Sequence, residues 1–405
     1  MTGLPGSEVS PMATQFATAW EERLDFNRLR AYRLRRVDEV LAEVGLDGVI
    51  VFKHDNIRYL TGYRPLMWET GYITRNLAVY PRGGRPVVLT HAGGLAQAKL
   101  SMPWMKEGEL IGLGSMEDPG IARTVVQTTI AEILGELGLE RGQIGIDATT
   151  VFTTSYLRST FRQATWRDGE VALKTARSIK SEDEVRLVGI AAEIVDGSLH
   201  VALEKVDYDG ITDQQVAAEA IRAAFHLGAE YLPLNPIVAS GGYAATYYPL
   251  TTDRLITPDD FVIVDFSAIH DGYCARVART VFTGRHVRSH RNLYQAVYGT
   301  LQEGIDHCRP GSLATDVAVR MSTRLPGGHD GYAYARGRGI GLSVNEFPRI
   351  REGSDDTLVA GMVVALEAGA HLPGRGGVRL CETVCVTEGA PVRLTRLQFD
   401  SSLLQ

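Results

Sequence analysis

The sequence has 405 residues, of which 44% are hydrophobic and 22% charged, with a net charge of -6. That length exceeds one ordinary compact core and predicts two domains of a globular protein. The acidic balance gives no draw toward nucleic acid or an anionic membrane, and no stretch approaches the ~18 consecutive apolar residues of a membrane span.

The first residues, 1–20, are polar and broken by Pro5 and Pro11. They lack the basic start and apolar stretch of a signal peptide and read as an arm. The four cysteines, Cys274, Cys308, Cys381 and Cys385, match no zinc spacing and are too few for a disulfide framework. Together these features predict a cytoplasmic protein with reduced thiols.

Leu34, Val37, Leu41 and Val44 recur at helical spacing, and Gly45 follows as a C-cap. The run Val49 to Phe52 reads as a buried strand. Further strand signals are Leu77 to Tyr80, Pro86 to Leu89 and Ile144 to Asp147, with a helix over Val125 to Leu137. Strands alternating with helices make 21–168 an α/β domain. The step Arg167-Asp168-Gly169 is the expected boundary, with the second domain over 169–405.

Ser181, with Glu184 three residues on, is a capping box that opens a long helix through about Leu203. Further helices are expected near 212–227, 290–307 and 314–325. Strands are expected at Phe261 to Asp265, Tyr273 to Phe282, Val363 to Glu367 and Glu382 to Thr387. This mixture predicts an α+β second domain.

Several stretches of that domain belong together. They are Phe261-Val-Ile-Val-Asp265-Phe, Asp271-Gly-Tyr-Cys-Ala-Arg276-Val-Ala-Arg279-Thr280, Gly337-Arg338-Gly-Ile-Gly-Leu342, Glu346-Phe-Pro-Arg349, Leu366-Glu367-Ala-Gly and Gly376-Gly-Val-Arg-Leu-Cys381-Glu-Thr-Val. Their order and spacing resemble the pita-bread family, which includes aminopeptidase P, prolidase, methionine aminopeptidase and creatinase. Asp55 to Gly62 and Ile179-Lys180-Ser181 resemble the N-terminal part of the same family. The resemblance implies a creatinase-like α/β N-terminal domain, a pita-bread C-terminal domain and a homodimer.

In the metallopeptidase members, Asp, Asp, His, Glu and Glu hold two divalent ions that generate a hydroxide and polarise the scissile carbonyl. The resemblance places these positions on Asp265, Arg276, Arg338, Glu367 and Cys381. Arginine has no acceptor lone pair and stays protonated, so it is no substitute ligand. Four carboxylates balance two ions in the metallo-enzymes. Here Asp265 and Glu367 balance Arg276 and Arg338. The substrate-side histidines fall on Tyr247 and Asn345. Creatinase, a member that works without metal, has functional residues at positions similar to Arg349 and Glu367.

The expectation is therefore a metal-independent enzyme, without cofactor, acting on a small carboxylate-bearing substrate. It would use acid–base hydrolysis or lyase-type cleavage in a specialised biosynthetic or catabolic step. Arg276, Arg338 and Arg349 would bind anionic groups, with Glu346 beside them. Glu367 and Asp265 would move protons, assisted by Tyr247 or His371, the latter expected on a loop. Cys381 is either a thiolate nucleophile or a filler of the lost carboxylate's space. Arg75 and Trp68 resemble the stretch that family dimers insert into a partner's site. Two alternatives remain: a non-catalytic binding or scaffold protein on this fold, and an Xaa-Pro-type metallopeptidase with one metal on Asp265, Glu367 and Glu382.

Overall fold

The computed structural model describes residues 24–65, 71–72, 74–206, 210–285, 287–325 and 332–405. The expected arm over 1–20 and Trp68 lie outside the described residues. The chain forms two units, Phe26–Ser178 and Ile179–Gln405, with the described residues 24–25 belonging to the second.

The first unit is a six-stranded mixed sheet with helices. Helix α1 (Phe26–Glu43) buries Leu29, Val37, Val40 and Leu41. Strand β1 (Gly48–Val51) follows, then α2 (His54–Thr61), which ends on Gly62 in the left-handed conformation that favours glycine. Strands β2 (Leu77–Pro81), β3 (Val87–His91), β4 (Leu110–Leu113), β5 (Gln143–Ile146) and β6 (Thr165–Asp168) complete the sheet in the order β4-β3-β2-β1-β5-β6. The helix expected over 125–137 begins earlier, at Pro119, where Asp118 caps it, and passes through a π turn at Val126–Ile130. Helix α3 (Glu170–Ser178) packs against α1 and so lies in this unit, beyond the Arg167-Asp168-Gly169 step.

In the second unit the Ser181 capping box is made as expected. Ser181 Oγ accepts from Glu184 N at 3.2 Å, and Glu184 Oε2 accepts from Ser181 N at 2.8 Å. It opens α4 (Glu182–Lys205), followed by α5 (Asp213–His226), α6 (Arg288–His307) and α7 (Ala314–Thr323). The strands are β7 (Ile237–Ser240), β8 (Phe261–His270), β9 (Tyr273–Phe282), β10 (Tyr332–Gly339), β11 (Glu346–Ile350), β12 (Val363–Leu372), β13 (Gly376–Cys385) and β14 (Val392–Arg393). They form one antiparallel sheet, ordered β11-β10-β12-β13-β9-β8-β7, with β14 on β13. The β8–β9 hairpin turns on Asp271-Gly272, both at positive φ (43° and 83°). Asp-Gly is the residue pair such a two-residue turn favours.

Strands β8 and β13 are buried along their whole length. The two faces of β12 and β13 have different jobs. Leu366, Ala368, Ala370, Val378, Leu380 and Val384 join side chains of α6 and α7 in one apolar cluster. Alternate residues point the other way. Among the described residues no helix is long and apolar enough to cross a membrane.

Candidate active site

Cross-strand register lines up one row of side chains on the face opposite the apolar cluster. Arg336 pairs with Glu367, Glu367 with Cys381, Cys381 with Ala278, and Ala278 with Asp265. Directly paired residues share a face, so positions 336, 367, 381, 278 and 265 form a transverse line. Two residues along each strand, on the same face, lie Arg338 on β10, Arg379 on β13 and Arg276 on β9.

Arg276 is the hub. Its guanidinium grips Asp265 through two nitrogens, Nε to Oδ1 at 2.8 Å and Nη2 to Oδ2, and donates from Nη1 to Glu367 Oε2 at 2.5 Å. Arg379 donates to Asp265 Oδ2 at 3.1 Å and to the Tyr247 carbonyl. The Tyr334 hydroxyl donates to Glu367 Oε1 at 2.6 Å. Gly369, opposite Tyr334 in the ladder, makes that bond possible, because a Cβ there would sit 2.7 Å from the tyrosine ring.

Asp265 and Glu367 are 4% and 2% exposed. Burial works against charge on Glu367, but Arg276 and Arg379, with the Tyr334 hydrogen bond, outweigh it and hold the carboxyl below the usual carboxylate range. The same carboxylates overcome the burial of Arg276 and hold it protonated. Burial pushes the Cys381 thiol up to about 12, with Glu367 and Asp265 adding to the effect against Arg276. Cys381 is therefore a neutral thiol filling space beside Glu367, not a thiolate nucleophile.

A cavity of about 550 Å³ opens over this row. Its wall carries Arg276, Arg336, Arg338, Arg349, Arg351 and Arg379, with Glu367 at its base. Arg338 donates from Nε to the Val344 carbonyl at 2.7 Å. Arg336 lies over the Tyr247 ring, 4.3 Å from its centroid.

The expected site residues divide. Asp265, Arg276, Glu367 and Cys381 come together in the row and its base, and Arg338 and Arg349 line the cavity. Tyr247 stands edge-on to Tyr248 and Tyr334, and its hydroxyl has no hydrogen-bond partner among the described residues. Expected on a loop, His371 is instead buried in β12, 1% exposed, because that strand runs to Leu372. Its Nδ1 donates to the Ala244 carbonyl at 2.8 Å, its ring stacks on Tyr334, and burial lowers its pKa. Glu346 does not line the cavity. It is buried against Lys180 Nζ at 2.7 Å and accepts from Ser343 N. Arg75 belongs to the first unit, where it pairs with Glu117 at 3.6 Å and lies over Tyr72. Glu382 faces the opposite side and holds Arg279 at 2.5 Å, so it is no third ligand with Asp265 and Glu367. Sequence reading missed Tyr334, Arg336 and Arg379. The available signal was the period of two: each lies two or four residues from a flagged position on the same strand face.

The chain is similar to known proteins along most of its length. Residues 186–388 match the model of metallopeptidase family M24, and 33–179 match the creatinase/prolidase N-terminal domain. An uncharacterized peptidase of Bacillus subtilis, YqhT, is 28% identical over 90% of this chain and 97% of its own. An Xaa-Pro dipeptidase of Pyrococcus furiosus is 25% identical over 91% of this chain and 99% of its own. The crystal structure of a dipeptidase from Pyrococcus horikoshii superposes with a TM-score of 0.76, at 27% identity, covering 91% of this chain and 98% of that one.

These relatives overturn the expectation of a metal-independent hydrolase or lyase in a biosynthetic step. Proteins alike over nine-tenths of the chain are peptidases, and the matching model is that of a metallopeptidase family. The donor set at this centre, however, does not fit two divalent ions. Among the described residues no group of three or more His, Cys, Asp and Glu is placed to hold one. The oxygens of Asp265 and Glu367 are already spanned by the Arg276 guanidinium, a fixed positive charge with no lone pair to offer. The family and the centre disagree on this point.

Proposed function

Because the chain belongs to the metallopeptidase family M24, we propose that it acts on short peptides, as the Xaa-Pro dipeptidases similar to it do. The peptide is taken in the arginine-lined cavity by its C-terminal carboxylate. One observation carries this reading: a cavity of about 550 Å³ whose wall presents Arg338 and Arg349, cross-strand partners with no carboxylate in ion-pair contact among the described residues. That volume suits a dipeptide, and a planar guanidinium suits a carboxylate. Glu367, ionised at neutral pH, lies at the cavity base as a hydrogen-bond acceptor for the amino end or for a water. Tyr334 and Arg276 fix its orientation.

The test is incubation with a panel of Xaa-Pro dipeptides, in protein as purified and after addition of manganese, following proline release by mass spectrometry. Release under either condition supports peptidase action. Absence of both binding and release defeats the reading.

A second reading, capture of the peptide without cleavage, is favoured by the closed centre at Arg276. Saturable binding with no proline release in either condition selects it. Assembly as a homodimer belongs to the same proposal and is read from the mass measured by light scattering after gel filtration: about twice 44.2 kDa supports it, and the mass of one chain defeats it.

A further inference from the structure

Charge in the cavity does not balance. Arg276 and Arg379 are matched by Asp265 and Glu367. Arg336, Arg338, Arg349 and Arg351 are left over on the same wall. Among the described residues no carboxylate lies within ion-pair distance of Arg338, Arg349 or Arg351. Arg336 has a carboxylate oxygen no nearer than Glu367 Oε1 at 3.8 Å, and that oxygen already accepts from Tyr334.

Arg336 shows the effect of this surplus. Its Nε is buried with no hydrogen-bond partner among the described residues. Burial lowers its pKa, and Arg338 and Arg379 lower it further, against a single opposing carboxylate, Glu367. A guanidinium disfavoured in this way sits in a positive field that its own protein leaves uncompensated. One peptide carboxylate would answer one of the four surplus charges. The α-ammonium of the same peptide would add another positive charge, with Glu367 alone to meet it.

We propose that the cavity selects ligands with two or more carboxylates, and that Arg336, which lies over the Tyr247 ring, reads the second one. Resting on the peptide reading above, this makes the substrate class an acidic dipeptide or tripeptide. The C-terminal carboxylate meets Arg338 and Arg349, and the side-chain carboxylate reaches the part-exposed guanidinium of Arg336.

The test is calorimetric titration of the whole protein with Ala-Pro, Glu-Pro and tricarballylate, a tricarboxylate without a peptide bond. It is run at low and high salt, for the wild type and for Arg336→Gln. The added carboxylate gains a charge-assisted contact, so Glu-Pro binds about tenfold tighter than Ala-Pro at low salt. That ratio shrinks at high salt and collapses toward one in Arg336→Gln. Equal affinity of Ala-Pro and Glu-Pro for the wild type overturns the selectivity and leaves the peptide reading standing. Tricarballylate binding without either peptide overturns the peptide reading and keeps the demand for several anionic groups. Failure of all three ligands defeats both. Should Arg336→Gln fail to fold, the salt dependence of the wild-type ratio decides alone: a ratio that does not shrink with salt overturns the proposal.

Discussion

Replacing Arg276 by Met keeps most of the side-chain volume and removes the charge that holds Asp265 and Glu367 together. Both carboxylates are then left buried, at 4% and 2% exposure. Breaking a buried pair by deleting one partner costs about 3–5 kcal/mol. Arg379 stays beside both carboxylates, which points to the lower end, about 3 kcal/mol. At roughly 2–4 °C per kcal/mol for a unit of this size, the melting temperature falls by about 6–12 °C.

The pH dependence follows from the same contacts. Glu367 has a folded pKa below its unfolded value. It therefore contributes stability that is present above the unfolded value of ~4.3 and is lost as pH falls through the folded pKa. Without Arg276, burial opposes the charge with less compensation, so that contribution shrinks or changes sign. The stability gap between wild type and variant is widest at neutral pH and narrows as the pH drops below ~4.3. Urea unfolding at pH 7 and at about pH 3.5, with m compared between the two proteins, measures it. A loss under about 1 kcal/mol at pH 7, or a gap that stays constant, would refute the view of Arg276 as the hub of this centre.

Other consequences are as direct. Gly369→Ala places a methyl against the Tyr334 ring, breaks its bond to Glu367 and lowers peptide affinity severalfold; calorimetry showing unchanged affinity would remove Tyr334 from the account. Arg279→Met leaves Glu382 buried and releases the backbone carbonyls of Leu397 and Gln398. Its expected cost is about 3–5 kcal/mol, with faster hydrogen exchange over 394–400, and unchanged exchange there would contradict the role. Ser181→Ala removes a helix cap and costs about 1 kcal/mol by urea unfolding; no measurable loss would count against it. All four cysteines are buried, so a thiol reagent at pH 8 modifies none of them in the native protein and all of them in urea.

Much of this architecture was legible from sequence, and for physical reasons. The Ser181 box and strand β9 stand where pattern put them, and β8 starts at the expected Phe261 but runs on to His270, past the apolar run that signalled it. Strand β10 was harder to see. Tyr-Ala-Tyr-Ala-Arg-Gly-Arg-Gly alternates, but its large members are polar and its small members are the ones that meet the sheet's apolar side, so the usual apolar-in signal is missing. The same inversion concealed Tyr334 and Arg336. His371 is expected on a loop because the strand signal stops at Glu367, yet the strand runs on to Leu372 and Gly369 serves to admit the Tyr334 ring. Glu346 and Arg75 were chosen by resemblance, and their partners, Lys180 and Glu117, come from distant stretches of chain. The kind of reaction was the part least visible in the residues. Counting ligands led to a metal-independent lyase or hydrolase, whereas the relatives alike over about nine-tenths of the chain are peptidases.

The most direct test of the central claim is a calorimetric comparison of Ala-Pro with its C-terminal amide. The two ligands differ in the one group that Arg338 and Arg349 are proposed to hold. The account predicts that amidation weakens binding by about tenfold or more, since a charge-assisted contact is lost, and that Arg338→Gln reduces this difference. Equal affinity for the acid and the amide would mean that the arginine wall does not recognise the peptide's carboxylate, and would contradict the account.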